Sequence, residues 1–236
     1  MTGAATRVLR DQTAADRWAN GRKLRKAVPR EAHSEFRPAS DRPDVIDQLQ
    51  AQEQDRLPRL LPIRYGRMAA SPFTFLRGAA TVMATDLALT PSTGLTVQIC
   101  GDAHLANFGV FASPERTLVF DVNDFDETLP GPWEWDVKRL ATSFVVAGRD
   151  IGFTAAQCRA CAVAATSAYR QRMLIYAGMR HLDVWYDRIS VDQVVSTITE
   201  AKARQRAAKL ATRARGRGGV AVAGHWGEES RPGRFD

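Results

Sequence analysis

Residues 100–127, CGDAHLANFGVFASPERTLVFDVNDFDE, constrain this chain more than any other stretch. Upstream, residues 95–100 form an apolar, β-branched run that predicts a buried strand, halted by the turn pair Gly101-Asp102. Asp102, His104 and Asn107 then sit on a short polar loop. Residues 109–111 and 118–122 flank Ala-Ser-Pro-Glu-Arg-Thr, whose Ser113-Pro114 starts a turn, so these two runs are expected to pair as a hairpin. The hairpin would set the Asn107 end of one strand beside the acidic end of the other, where Asp121, Asn123, Asp124 and Asp126 crowd together. Asp102, Asn107 and Asp124 would then converge although 22 residues separate the first from the last.

That convergence has chemical content. Hard cations such as magnesium take oxygen ligands at roughly 2.0 to 2.1 Å, usually one or two carboxylates beside water and substrate phosphates. Asn107 and Asp124 supply such a set and leave Asp102 for handling a proton. Asp121 or Asp126 can replace Asp124, because a shift of one residue in strand register exchanges the side chains on each face. The same residues also read as loop punctuation, since Asp and Asn side chains bond nearby backbone in turns.

Gly101-Asp102-Ala103-His104-Leu105-Ala106-Asn107 resembles the catalytic loop HGDxHxxN of the aminoglycoside phosphotransferase and choline kinase branch of protein-kinase-like enzymes, with the aspartate five residues before the asparagine. Asp124-Phe125-Asp126 resembles that group's metal-binding motif, and Asp136 follows Asp124 by twelve residues, as a second, structural aspartate does there. The resemblance implies Asp102 as catalytic base with His104 beside it, and Asn107 and Asp124 as magnesium ligands, joined or replaced by Asp126 or Asp121. It also implies ATP as phosphoryl donor, and His104 and Asp136 as supports of the loop. Cys100 departs from the pattern by standing where histidine is usual. The fold implied is α+β, mostly helical with a small β-hairpin carrying the site, similar to the C-terminal lobe of protein-kinase-like folds.

A denser resemblance spans residues 21–149. The stretches PIRYGRMAASPFTFLRG, QICGDAHLANFGVF and VFDVNDFDETLPGPWEWDVKRLATSFVVAGR are similar to a bacterial family catalogued as domain of unknown function 2252. Its members are longer and place a glycine-rich segment with a lysine after the catalytic-loop motif. This sequence has no such segment, so the resemblance implies a kinase-type site that is incomplete.

Charge narrows the partners. The chain of 236 residues carries a formal net charge of +7, but residues 202–217 hold seven basic side chains and no acid and residues 218–236 sum to −1, so residues 1–201 carry only +1. A broad nucleic-acid-binding face is not expected, and the basic excess belongs to one C-terminal segment. Three cysteines make no disulfide framework, and Cys158-Arg-Ala-Cys161 lies in an alanine-rich helical pattern, where two small residues share a helix face. The N-terminus has no apolar signal core, and no run reaches the ~18 apolar residues of a membrane helix, so a soluble cytoplasmic protein is expected.

Three regions are expected: an irregular, Pro-interrupted arm over 1–44, a kinase-like catalytic-lobe domain over 45–210, and a disordered Arg/Gly-rich tail over 211–236. Within the domain, residues 44–57 predict a helix with Val45, Ile46 and Leu49 on one side. Ser71-Pro72 is a helix start whose apolar spacing continues through Leu87. Pro130-Gly131-Pro132 is expected to break the chain before a helix over 133–148, with Trp135, Leu140, Phe144 and Val145 toward the core. Thr154 with Gln157 and Ser190 with Gln193 fit capping boxes opening helices of about 23 and 20 residues. Arg64, Arg67 and Arg77 bracket the Ser71 helix start, which suits anions. Arg77 is the preferred phosphate contact, with surface solvation as the plainer reading.

The reading that results is a magnesium- and ATP-dependent phosphotransferase acting on a hydroxyl of a small molecule or protein. Two alternatives stand beside it. One is a truncated, non-catalytic fragment or pseudo-enzyme, favoured by the missing glycine-rich segment. The other is a metal-dependent phosphoesterase, for which the four histidines (His33, His104, His181 and His225) are a poor supply.

Overall fold

A computed structural model describes residues 13–54 and 56–216. Among the described residues, ten α-helices and four short strands follow in the order α1 (Ala14–Ala27), α2 (Val45–Ala51), α3 (Leu61–Met68), α4 (Pro72–Gly78), α5 (Ala80–Ala88), β1 (Thr96–Ile99), β2 (Phe108–Ala112), β3 (Leu118–Val122), β4 (Leu129–Pro132), α6 (Trp133–Asp150), α7 (Ala155–Gly178), α8 (His181–Tyr186), α9 (Val191–Thr197) and α10 (Ala201–Gly216). The class is α+β and mostly helical, as expected. No helix among the described residues is long and apolar enough to cross a membrane.

Helix α6 is the hub. It packs on α7, α4, α5, β1 and the 3-10 turn Leu105–Asn107. The α6–α7 approach is close because residue 148 is glycine: a Cβ there would stand 2.9 Å from the Cys158 sulfur. Cys158 is buried and Cys161 half-buried, in keeping with small helix-face residues. A first core gathers Leu49, Met68, Ala79 and Val82 from α2 to α5; a second joins Leu118 of β3 to Val191 of α9 and Ala211 of α10.

The hairpin forms in the expected place. Strands β2 and β3 pair antiparallel from Phe108↔Val122 to Ala112↔Leu118, and the turn closes with Ser113 N–H donating to the Thr117 carbonyl at 2.8 Å. The capping boxes at Thr154 and Ser190 are present, and Ser71 caps its helix with Pro72 in the first turn, closing a further box with Thr74. Helix α7 runs 24 residues and ends at Gly178.

Several elements differ from expectation, each for a physical reason. The arm is not irregular throughout: α1 forms on a capping box between Thr13 and Asp16, and its Trp18 is exposed. Helix α2 stops at Ala51 and leaves Ile46 exposed, so only Leu49 of that side is fully buried. The helix from Ser71 breaks at Ala79 (φ −120°, ψ 41°). Among its last carbonyls, Leu76 accepts from Arg139 at 2.8 Å as well as from Ala79 N–H at 3.2 Å, and Gly78 accepts from Arg64 at 2.8 Å, so the end of the helix is satisfied from outside it.

Strand β1 is exposed except for Ile99, which corrects the buried strand expected over 95–100. Its partner is the segment read as a chain break: Leu129 to Pro132 pair antiparallel with it, from Ile99↔Leu129 to Thr96↔Pro132. A two-stranded ribbon is all edge, where proline costs no interior ladder bond. On α6 the fully buried residues are Glu134, Arg139, Ser143 and Gly148, while Trp135, Leu140, Phe144 and Val145 are half-buried. The helix opened by Ser190 ends at Thr197, within the β-branched run Thr197-Ile198-Thr199. The Arg-rich segment then forms α10, whose helix runs through Gly216 into the expected tail; residues 217–236 of that tail lie outside the described residues.

Candidate active site

The loop from Cys100 to Asn107 is held from below by one face of α6. Asp136 accepts from the backbone N–H groups of Cys100 (2.7 Å) and Gly101 (3.1 Å). One turn on, Arg139 forms an ion pair with the Asp102 carboxylate, and a turn further Ser143 accepts from Leu105 N–H at 2.9 Å. Positions 136, 139 and 143 fall on one side of a 3.6-residue helix. Arg139 is 2% exposed and Ser143 0%, so this polar row is interior and each member is bonded.

Glycine at 101 is required by both conformation and space. Its φ is +82°, and an added Cβ would collide with the Glu127 carbonyl. That close approach lays the second acidic segment against the loop.

Asn107, 6% exposed, ties the two together. Its side-chain Nδ2 donates to the Asp102 and the Asp124 carbonyls, each at 3.1 Å, and its own carbonyl accepts from Asn123 N–H at 2.9 Å. The structure thus brings Asp102, Asn107 and Asp124 together, through backbone atoms in the case of the two aspartates. Asp124, Asp126 and Asp121 are exposed. One Asp124 oxygen accepts from Asp126 N–H at 3.0 Å, and Asp121 bonds the adjacent Val122 N–H at 2.8 Å. Among the described residues no group of three or more His, Cys, Asp or Glu stands together as a metal site. An ion held by Asn107 and Asp124 would have to complete its shell from water and substrate phosphates, the kind of coordination magnesium takes.

Burial governs the protonation of the loop. It pushes the Asp102 carboxyl up to about 6, with the Arg139 charge and hydrogen bond pulling back and Glu127 and Asp124 adding to the rise. His104 moves the other way, down to about 4, first through burial and then through the charges of Arg139 and Arg77. Near neutral pH the pair is therefore a carboxylate and a neutral imidazole, with His104 Nε2 3.5 Å from Asp102 Oδ2. The imidazole stands edge-on to the Phe73 ring, and its buried Nδ1 has no partner among the described residues. Asp136 is raised by burial, against the two N–H groups it accepts from.

The arginines expected around the Ser71 helix start divide. Arg64 turns inward to the Gly78 carbonyl, Arg67 is exposed, and Arg77 is exposed with its charge reaching His104. The helix start itself is taken: Asp150 accepts from Ser71 Oγ (2.5 Å) and Phe73 N–H (2.9 Å). Reading the sequence singled out Asp136 but missed Arg139, Ser143 and Glu127. The signal for the first two was a polar row at helical spacing, 136, 139 and 143, within a helix otherwise read for its apolar side chains. Glu127 carried no signal beyond its place at the end of the acidic stretch.

Fold and site together define a helical α+β protein whose hub helix pins a Gly-Asp-x-His-x-x-Asn loop against an acidic hairpin. The chain belongs to the family described as uncharacterized protein conserved in bacteria (DUF2252), whose match covers residues 56–235. The match replaces the 21–149 span expected from the sequence. No curated protein and no solved structure matches the chain.

Proposed function

We propose that the chain is a magnesium-dependent phosphotransferase of kinase-like type, moving a phosphoryl group from ATP to a hydroxyl on a small molecule or protein. The observation that carries the reading is the Asn107 amide bonded at once to the Asp102 and Asp124 carbonyls, which makes base, ligand and second ligand one rigid unit. Asn107 and Asp124 hold the magnesium ion, which offsets negative charge on the phosphates. Asp102 takes the hydroxyl proton at Oδ2, since Arg139 engages Oδ1. An acid raised to about 6 is a stronger base than an exposed aspartate yet remains ionised near neutral pH. His104, neutral, positions that oxygen, and Arg77 reaches the phosphates from the rim.

One observation favours a second reading, a protein that retains the loop without turnover: the same Arg139 charge withdraws basicity from Asp102. Titration calorimetry of the full chain with ATP and magnesium, beside Asp124→Ala and followed by an assay of γ-phosphoryl loss, separates the two. Phosphotransfer requires saturable binding that depends on magnesium and Asp124, with turnover abolished in Asp102→Asn. Binding without turnover, or no binding by the folded chain, overturns phosphotransfer and supports the second reading, which turnover overturns.

A further inference from the structure

A cavity of about 690 Å³ lies between α4, α5 and α6, and Asp102, His104 and Asn107 are not part of its lining. It is connected to them through Arg139, which bonds the Leu76 carbonyl and contacts the Met83 sulfur at 3.5 Å; both residues line the cavity. Its volume lies within the roughly 300 to 1,000 Å³ typical of small-molecule sites. Phe75, Leu76, Val82, Met83 and Val146 make the wall apolar, and polar groups gather where Lys138, Thr90 and His33 meet.

The charges there are unevenly matched. Asp86 on the wall is neutralised by Arg42, whose Nε and Nη2 donate to its two oxygens at 2.6 and 2.8 Å. Glu35 at the rim pairs with Arg37. Glu134, one helical turn before Lys138, is buried and engaged by the Thr93 N–H and hydroxyl, both at 2.7 Å. Lys138 Nζ donates to the neutral Thr90 hydroxyl at 2.7 Å and is in no ion pair among the described residues. His33 lines the same cavity within reach of the Lys138 charge, and its buried Nδ1 has no hydrogen-bond partner among the described residues. Burial first, then the Lys138 charge, holds this imidazole below its ordinary value, so it is neutral and able to donate. A partly buried cation and an unpartnered ring nitrogen at one end of an apolar chamber are what a two-oxygen anion would complete.

We propose that this cavity binds an organic carboxylate with an apolar body, its two oxygens accepting from Lys138 Nζ and His33 Nδ1 and its body lying along α4 and α5. The inference is independent of phosphotransfer. The test is calorimetric titration of the full chain with octanoate, and with octanol and octylammonium as probes of equal length. Octanoate binds saturably at one site, and the other two bind at least about tenfold more weakly, the scale of one charge-assisted hydrogen bond. Lys138→Gln lowers octanoate affinity by a similar factor while Lys138→Arg retains most of it. Ala141→Phe, which occupies the chamber without altering its charge, abolishes binding and serves if Lys138→Gln fails to fold, each variant being checked by circular dichroism. Octanol bound as tightly as octanoate, octanoate affinity unchanged in Ala141→Phe, or no saturable octanoate binding overturns the proposal.

Discussion

The loop at 100–107 and the acidic segment at 121–127 carry similar residues and are held in opposite ways. In the first, buried side chains of α6 reach up to the backbone and to Asp102, and the loop buries His104 and Asn107. In the second, Asp121, Asp124 and Asp126 are exposed, and the side chains of Asp121 and Asp124 accept from backbone N–H groups within two residues. A carboxylate inside the fold needs partners, because an unpaired buried charge is costly; one at the surface is hydrated without them. The difference divides labour: the first segment is fixed in place by its partners, while the second is free to exchange water for a ligand.

The contrast is broken most severely at Arg139. Arg139→Ala leaves the half-buried Asp102 without its cation and the Leu76 carbonyl with only the Ala79 N–H, and an expected loss of about 3 kcal/mol is read by urea denaturation. Next, Asp136→Ala removes the acceptor for two N–H groups, so a loss of about 2 kcal/mol is expected by the same measurement, with Asp136→Asn recovering part. Asp124→Ala should change stability by less than about 0.5 kcal/mol, because the exposed carboxylate holds little besides its neighbour's backbone, while removing magnesium-dependent ATP binding. Equal stability losses at Asp124 and Asp136 would erase the distinction between the segments.

The smallest effect sharpens the comparison through pH. His104 has an ordinary value of 6.5 and is held near 4 in the fold, so the unfolded chain binds the proton first. Its contribution is present above 6.5 and is lost as pH falls toward 4. His104→Gln should lack that loss, so its stability relative to the parent rises as denaturation is repeated from pH 7 down to 4. A pH-independent difference would remove the assignment. Asp102, raised to about 6, works in the opposite sense, its contribution being lost as pH rises through that value.

Much of this was legible because the signals are local. Alternation and turn residues located the hairpin, Ser71-Pro72 located one helix start, and Thr154 and Ser190, each followed three residues later by a glutamine able to reach back, located two more. What was misread depended on distant partners. The break at Ala79 accompanies arginines 14 and 63 residues away from the carbonyls they satisfy. The Pro-Gly-Pro segment became a strand because β1 lay beside it, and α6 buried its polar row because the loop to be held was polar.

By itself, then, the sequence determined the helical α+β class, the hairpin, the helix caps and the approach of Asn107 to Asp124, since each follows from propensity or spacing within a few tens of residues. Only the tertiary structure decided that Asp102 is paired with Arg139, that His104 is neutral, that the Ser71 helix start is closed by Asp150, and that Lys138 borders a cavity and donates to Thr90. These are matters of which charges meet and how far water is excluded from them, and they are set when separate elements pack.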